Sequence, residues 1–242
     1  MIKPITYAYL ETTNYCNLDC SFCNRMDVIG PLKHMSLEDW GKLLDGIKHH
    51  PIEEAKLMGM GEPMLHPQFD EVCKMFKEVF PKCKLIVATN CQYNIREGLE
   101  FRRKFQECLK YIDMLYFSID GWGESYERDR APAKWKKLIK FLKDFETINR
   151  YDCDVVVNYV VNAYNIDDIE KVDNLRKENN LGMDVLAYKG YEDPPEIIKF
   201  IKENIHHKKI YDQALYKKIM MFYQAMNWDE PTLKKDTIER FF

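Results

Sequence analysis

The chain has 242 residues, 46% hydrophobic and 31% charged, which is ordinary for a globular domain and enough for one sizeable core. Its formal charge of −3 gives no broad basic field for nucleic acid, and local clusters such as Lys134 with Lys136 and Lys137 read as solvated helix faces. No apolar run approaches the ~20 residues of a membrane-spanning helix, residues 1–6 lack a signal-peptide pattern, and the eight cysteines read as metal ligands plus reduced core residues, so a cytosolic protein away from membranes is expected.

Short β-branched runs alternate with longer stretches of helical period, the pattern of repeated βα units on a parallel sheet. A first strand over residues 5–13 runs into a loop carrying Cys16, Cys20 and Cys23. A helix over 36–49 follows, opened by Ser36 with Asp39 three residues on, a variant of the capping box. The second strand, 55–60, runs into Gly59-Met60-Gly61-Glu62-Pro63 and then a helix over 68–80. Strand three, 85–90, ends in Thr89-Asn90 and precedes a helix over 95–111; strand four, 114–120, ends in Ser118-Ile119-Asp120 and precedes a long loop and a helix over 133–150. Strand five, 154–161, places one amide, Asn158, inside an apolar run; a helix over 166–178 and a sixth strand over 183–188 follow. Pro194 and Pro195 open another helix to about residue 206, and 212–228 forms a last amphipathic one.

Six βα units are too few for a closed eight-stranded barrel. The expected fold is therefore α/β, an open, partial (β/α)6 barrel of parallel strands. Residues 1–192 form the core and residues 193–242 a helical extension packed on it, within one structural domain. In closed (β/α)8 barrels the active site lies at the C-terminal strand ends, a rule carried here by analogy. The three cysteines fall at such an end. Three thiolates can hold three irons of a cubane [4Fe–4S] cluster and leave the fourth open to a small molecule. The alternative is a structural zinc site or three unrelated buried thiols; structural zinc sites are closed and four-coordinate, and here only Cys20 and Cys23 form a Cys-x2-Cys pair. The other five cysteines, Cys73, Cys83, Cys91, Cys108 and Cys153, are isolated and read as small buried hydrophobes.

The spacing Cys-x3-Cys-x2-Cys, with Phe22 just before the last cysteine, resembles the signature of the radical S-adenosylmethionine (SAM) superfamily. Gly61-Glu62-Pro63 is similar to that family's Gly-Gly-Glu-Pro motif, with Met60 in place of the first glycine. The segment before Cys16 and the loop after strand four look like the molybdenum-cofactor and peptide-maturase branch, without its cysteine-rich C-terminal extension. The resemblance covers roughly residues 5–190. It implies a cluster on Cys16, Cys20 and Cys23, with SAM chelated at the open iron. Reductive cleavage of SAM then gives a 5′-deoxyadenosyl radical that abstracts hydrogen from a small polar substrate, in a dehydrogenation, epimerisation or rearrangement. The reductant would be a flavodoxin or ferredoxin. Activation of a glycyl-radical enzyme, modification of a peptide or nucleic acid, and a non-catalytic metal-binding module are the alternatives.

The resemblance also assigns expected contacts. Glycines at the second strand end let the backbone approach the SAM ammonium, and the Glu62 carboxylate can accept a charge-assisted hydrogen bond from it. Asn90, Ser118 and Asn158 suit the ribose or carboxylate of SAM, although Asn and Ser also simply begin turns. His66 either contacts substrate or cluster or marks a helix entry. Arg130 either clamps a carboxylate or phosphate or pairs with Glu127 or Asp129. Lys189 borders the expected mouth, and Cys91 is the best placed hydrogen donor if the reaction is an epimerisation.

Overall fold

The structure is a computed structural model that describes residues 5–23, 25–93, 99–148, 151–161 and 165–187. In chain order its elements are β1 (Ile5–Tyr9), α1 (Arg25–Val28), α2 (Leu37–Ile47), β2 (Ile52–Leu57), α3 (Phe69–Val79), β3 (Lys84–Thr89), α4 (Leu99–Leu109), β4 (Met114–Ser118), α5 (Glu124–Asp129), α6 (Trp135–Phe145), β5 (Asp154–Val161), α7 (Ile169–Glu178) and β6 (Gly182–Ala187). The six strands lie in sequential order and every neighbouring pair is parallel. Right-handed crossovers in that order bring the helices to one face of an unclosed sheet. This is the expected partial barrel, and no described helix is long and apolar enough to cross a membrane.

The helices form because their apolar residues recur every three or four positions. In α3 the buried residues are Phe69, Val72, Cys73 and Phe76, with Asp70 and Glu71 at the positive N-terminal end and Lys77 near the C-terminal end. In α6 Leu138, Phe141, Leu142 and Phe145 repeat the pattern and pack onto the sheet, where the Phe117 ring meets Phe141 and Phe145 edge-on at 5.3 and 5.0 Å between centroids. Ser36 caps α2: its hydroxyl oxygen accepts from the Asp39 amide at 3.1 Å and its proton goes to the Asp39 carboxylate at 2.8 Å.

The strand boundaries differ from expectation most at β1 and β2, while β4 ends two residues early and β3 and β6 are each shifted by one. β1 stops at Tyr9 because the chain beyond it turns to the returning segment: Thr13 bridges His34 antiparallel, and the Met35 amide donates to the Thr12 carbonyl at 2.8 Å. β2 begins three residues early, at Ile52, because Glu53 points to solvent and Glu54 lies on the inner face 3.9 Å from Lys84; the charges looked like loop and are strand. α1 and α5 were not expected, and Ile166–Asp168 is a 3₁₀ turn leading into α7. The expected helices within 193–242 and the candidate Lys189 lie outside the described residues.

Candidate active site

The loops at the C-terminal ends of β1 to β5 are woven together by hydrogen bonds. The cysteine loop lies at their centre. Cys16 and Cys20 are half-buried and Cys23 is exposed. Among the described residues no three His, Cys, Asp or Glu side chains converge on a point that one metal ion would occupy. A single zinc needs that convergence. A cubane spreads its thiolates over separate irons, so three thiols on one loop need not meet at a single point to hold it. Burial pushes the Cys16 thiol up, against the pull of the Leu18 amide that donates to its sulfur at 3.4 Å. Burial pushes Cys20 up to about 11, opposed by Arg130. Loading a cluster must therefore displace protons from these thiols.

The Gly59–Pro63 turn packs directly against the approach to this loop. The Glu62 amide donates to the Tyr15 carbonyl at 2.7 Å, and Glu11 Oε1 accepts from the Met60 amide at 2.5 Å and the Gly61 amide at 3.3 Å. A Cβ on Gly61 would sit 2.0 Å from the Thr13 carbonyl oxygen, and one on Gly59 would sit 2.3 Å from the Glu11 carboxylate. The space that glycine frees is thus occupied by the protein's own first loop. The Glu62 carboxylate also has a task that the sequence did not show. It is buried, with Oε1 accepting from the Met64 amide at 3.2 Å and Oε2 from the Asn90 amide at 2.8 Å, so it ties the second loop to the third. Burial pushes its pKa up against the pull of these donors.

Asn90 spends its side chain on the scaffold. Its Nδ2 donates to Asn17 Oδ1 at 2.7 Å and its Oδ1 accepts from the Gln92 amide at 2.9 Å, while Asn17 Nδ2 donates to the Gln92 carbonyl at 3.3 Å. Ser118 and Asn158 stand side by side in the register of β4 and β5, Ser118 buried and Asn158 half-buried. His66 is buried with both ring nitrogens engaged inside the protein: Nε2 lies 2.8 Å from the Met35 carbonyl and Nδ1 accepts from the Gln68 amide at 3.1 Å. These are the contacts expected of a helix-entry residue. Cys91 is fully buried at φ 60°, its thiol donating to the Thr89 carbonyl at 3.7 Å. The thiol thus lies inside the wall of the third loop, without accessible surface in this structure.

Arg130 pairs with neither Glu127 nor Asp129. Its Nε donates to Asp120 Oδ2 at 2.5 Å, its Nη1 reaches the Cys20 sulfur at 4.0 Å, and its guanidinium carbon lies 5.5 Å from the centre of the half-buried Phe22 ring. Burial acts to lower the Arg130 pKa, but Asp120, with Cys20 and Tyr126, more than offsets it and the arginine stays charged. Sequence reasoning missed Asp120, Glu11 and Asn17. Their types are those of any turn, and only the folded loops bring them into contact.

Fold and loops together define an unclosed parallel barrel with a three-thiol site at its C-terminal strand ends. The family model for the radical SAM superfamily matches residues 10–177, and the chain belongs to that superfamily. Membership carries with it a [4Fe–4S] cluster and SAM as cofactors. The chain is 27% identical over 169 residues to the sporulation killing factor maturation protein SkfB of Bacillus subtilis, covering 67% of this chain and 37% of that one. It is 28% identical over 189 residues to the tungsten-containing aldehyde ferredoxin oxidoreductase cofactor-modifying protein of Pyrococcus furiosus, covering 74% and 50%. The chain thus spans half or less of the length of these curated relatives. Among solved structures, AdoMet-bound anSMEcpe superposes with a TM-score of 0.60 at 15% identity, covering 89% of this chain and 62% of that one. The methylornithine synthase PylB gives 0.56 at 13%, covering 78% and 55%, and both share the fold.

Proposed function

We propose that this chain is a radical SAM enzyme that abstracts hydrogen from a small polar substrate, with Cys16, Cys20 and Cys23 holding the cluster. When bound, the cluster and SAM supply a one-electron reductive cleavage that generates the hydrogen-abstracting radical. The observation that carries the reading is the direct packing of the Gly-x-Gly-Glu-Pro turn on the approach to the cysteine loop, at the strand ends where barrel enzymes keep their chemistry. In this reading the protein's own groups bind and orient. Glu11, Glu62 and Asn90 fix the loops, and the backbone of Met60 and Gly61 with Ser118 and Asn158 faces SAM. Phe22 walls the cluster. The reductant is a flavodoxin or ferredoxin.

The test is anaerobic reconstitution with iron and sulfide, reduction with dithionite and chromatographic assay of 5′-deoxyadenosine from SAM. Wild type is expected to form it and Cys20→Ala to lose it; a loaded wild type that forms none overturns the reading. A second reading, maturation of a peptide or modification of a cofactor, draws support from the descriptions of SkfB and the Pyrococcus protein. Hydrogen transfer from a deuterated peptide into 5′-deoxyadenosine would favour it over a free small molecule.

A further inference from the structure

Asp120 and Arg130 form a buried ion pair where a pair contributes little stability. Asp120 is wholly buried and Arg130 is 7% exposed, and the desolvation of two such charges commonly cancels their attraction. Their geometry serves a neighbour instead. Asp120 Oδ1 accepts from the Val160 amide at 2.6 Å, which fixes the carboxylate to the end of β5. Its other oxygen holds Nε and Nη2 of Arg130, and the remaining arm of the fork points to the Cys20 sulfur. The flanking backbone grips the same loop: the Asp19 amide donates to the Ala131 carbonyl at 2.6 Å and the Ser21 amide to the Asp129 carbonyl at 2.9 Å. Of the three thiols, Cys20 is the one that carries this contact.

We propose that Asp120 and Arg130 are positioning residues for Cys20, and that their opposed charges beside its sulfur set the reduction potential of the cluster. The proposal rests on the reading of Cys20 as a cluster ligand. Reduction adds one electron to the cluster from dithionite, with no bond made or broken. Hydrogen bonds to cluster sulfurs and local charge set such potentials: a donor and a positive charge favour the reduced state, and a negative charge disfavours it. The pair is near neutral as a unit, so removing each member acts with opposite sign. Arg130→Gln leaves the carboxylate alone and lowers the potential. Asp120→Asn leaves the guanidinium uncompensated and raises it. Each change is expected to move the reduction equilibrium about tenfold, or about 59 mV for one electron. The double variant returns towards wild type.

The measurement is a dithionite titration of the reconstituted full chain without SAM, followed by electron paramagnetic resonance. Opposite shifts support the proposal. Shifts in one direction, or none, overturn it, because simple loosening of the loop disturbs both variants alike. Where Arg130→Gln fails to fold or load, Asp120→Asn decides alone: a raised potential supports the proposal and an unchanged one overturns it. A wild type that takes up no cluster sinks the ligand reading itself, a result distinct from a loaded wild type whose variants do not split.

Discussion

The two faces of the sheet are built on opposite principles. Towards the helices, Leu85, Val87, Leu115, Phe117, Val155, Val157 and Tyr159 alternate down the strands into one continuous buried cluster. On the inner face the register sets Tyr7 beside Glu54 and Tyr9 beside Lys56, and Glu54 beside Lys84. Tyr9 is 65% exposed, and the Lys56 ammonium lies 5.3 Å from its ring centre and donates to its hydroxyl at 3.4 Å. Both faces alternate with the same period. The helix face spends its residues on burial, about 1.5–3 kcal/mol per large side chain, while the inner face at β1 and β2 keeps polar groups and turns apolar only further along, at Ile86 and Met114.

The sharpest way to break this contrast is to truncate one aromatic from each face. Phe117→Ala is expected to cost about 3–5 kcal/mol in urea unfolding, and Tyr9→Ala no more than about 0.5 kcal/mol. Equal costs would mean that the inner face is core as well. The glycines extend the comparison to the loops. Gly61→Ala pushes a methyl against the Thr13 backbone and is expected to cost about 1–3 kcal/mol, whereas Gly46→Ala, on α2 with nothing within 4 Å, is expected to stabilise by about 0.5–1 kcal/mol.

Smaller effects test the electrostatics of the loops. Among the three loop thiols of the apoprotein, iodoacetamide followed by mass spectrometry should label exposed Cys23 first and Cys20 last, with the buried Cys73, Cys91 and Cys108 slower than all three. Because the Cys20 thiol is pushed up to about 11, its labelling rate should rise roughly tenfold per pH unit between pH 7 and 10. The smallest effect concerns His66, whose pKa burial lowers from the usual 6.5. The folded chain then binds fewer protons than the unfolded one, so this contribution to stability is complete above about pH 6.5 and is lost as the pH falls. The melting temperature of His66→Gln should therefore fall less between pH 7 and 5 than that of wild type; an identical fall would show that His66 does not titrate in this way.

The alternation that separates the faces is also what made the fold legible. Six apolar runs with helical stretches between them give the strand count, and the Cys-x3-Cys-x2-Cys spacing gives the site. Glu53 and Glu54 hid the start of β2, because a charge on an open inner face reads like a loop. The partners of Arg130 and Glu62 were hidden for a different reason. Asp120 and Asn90 are ordinary strand-end residues whose burial follows only from the way five loops stack. The sequence carries the types of these groups, and the chain path decides which of them meet.

Asp19 and Ser21 are gripped by the carbonyls of Ala131 and Asp129, and Cys20 lies 110 positions before Arg130. The cysteine loop therefore lacks its supports until residues 129–131 have been made. At a ribosomal pace of about 5–20 residues per second, the three thiols emerge on the order of ten seconds before the segment that holds them. Insertion of a cofactor into a native loop thus has to wait for the fourth loop, and the nascent thiols depend on the reducing power of their surroundings until then.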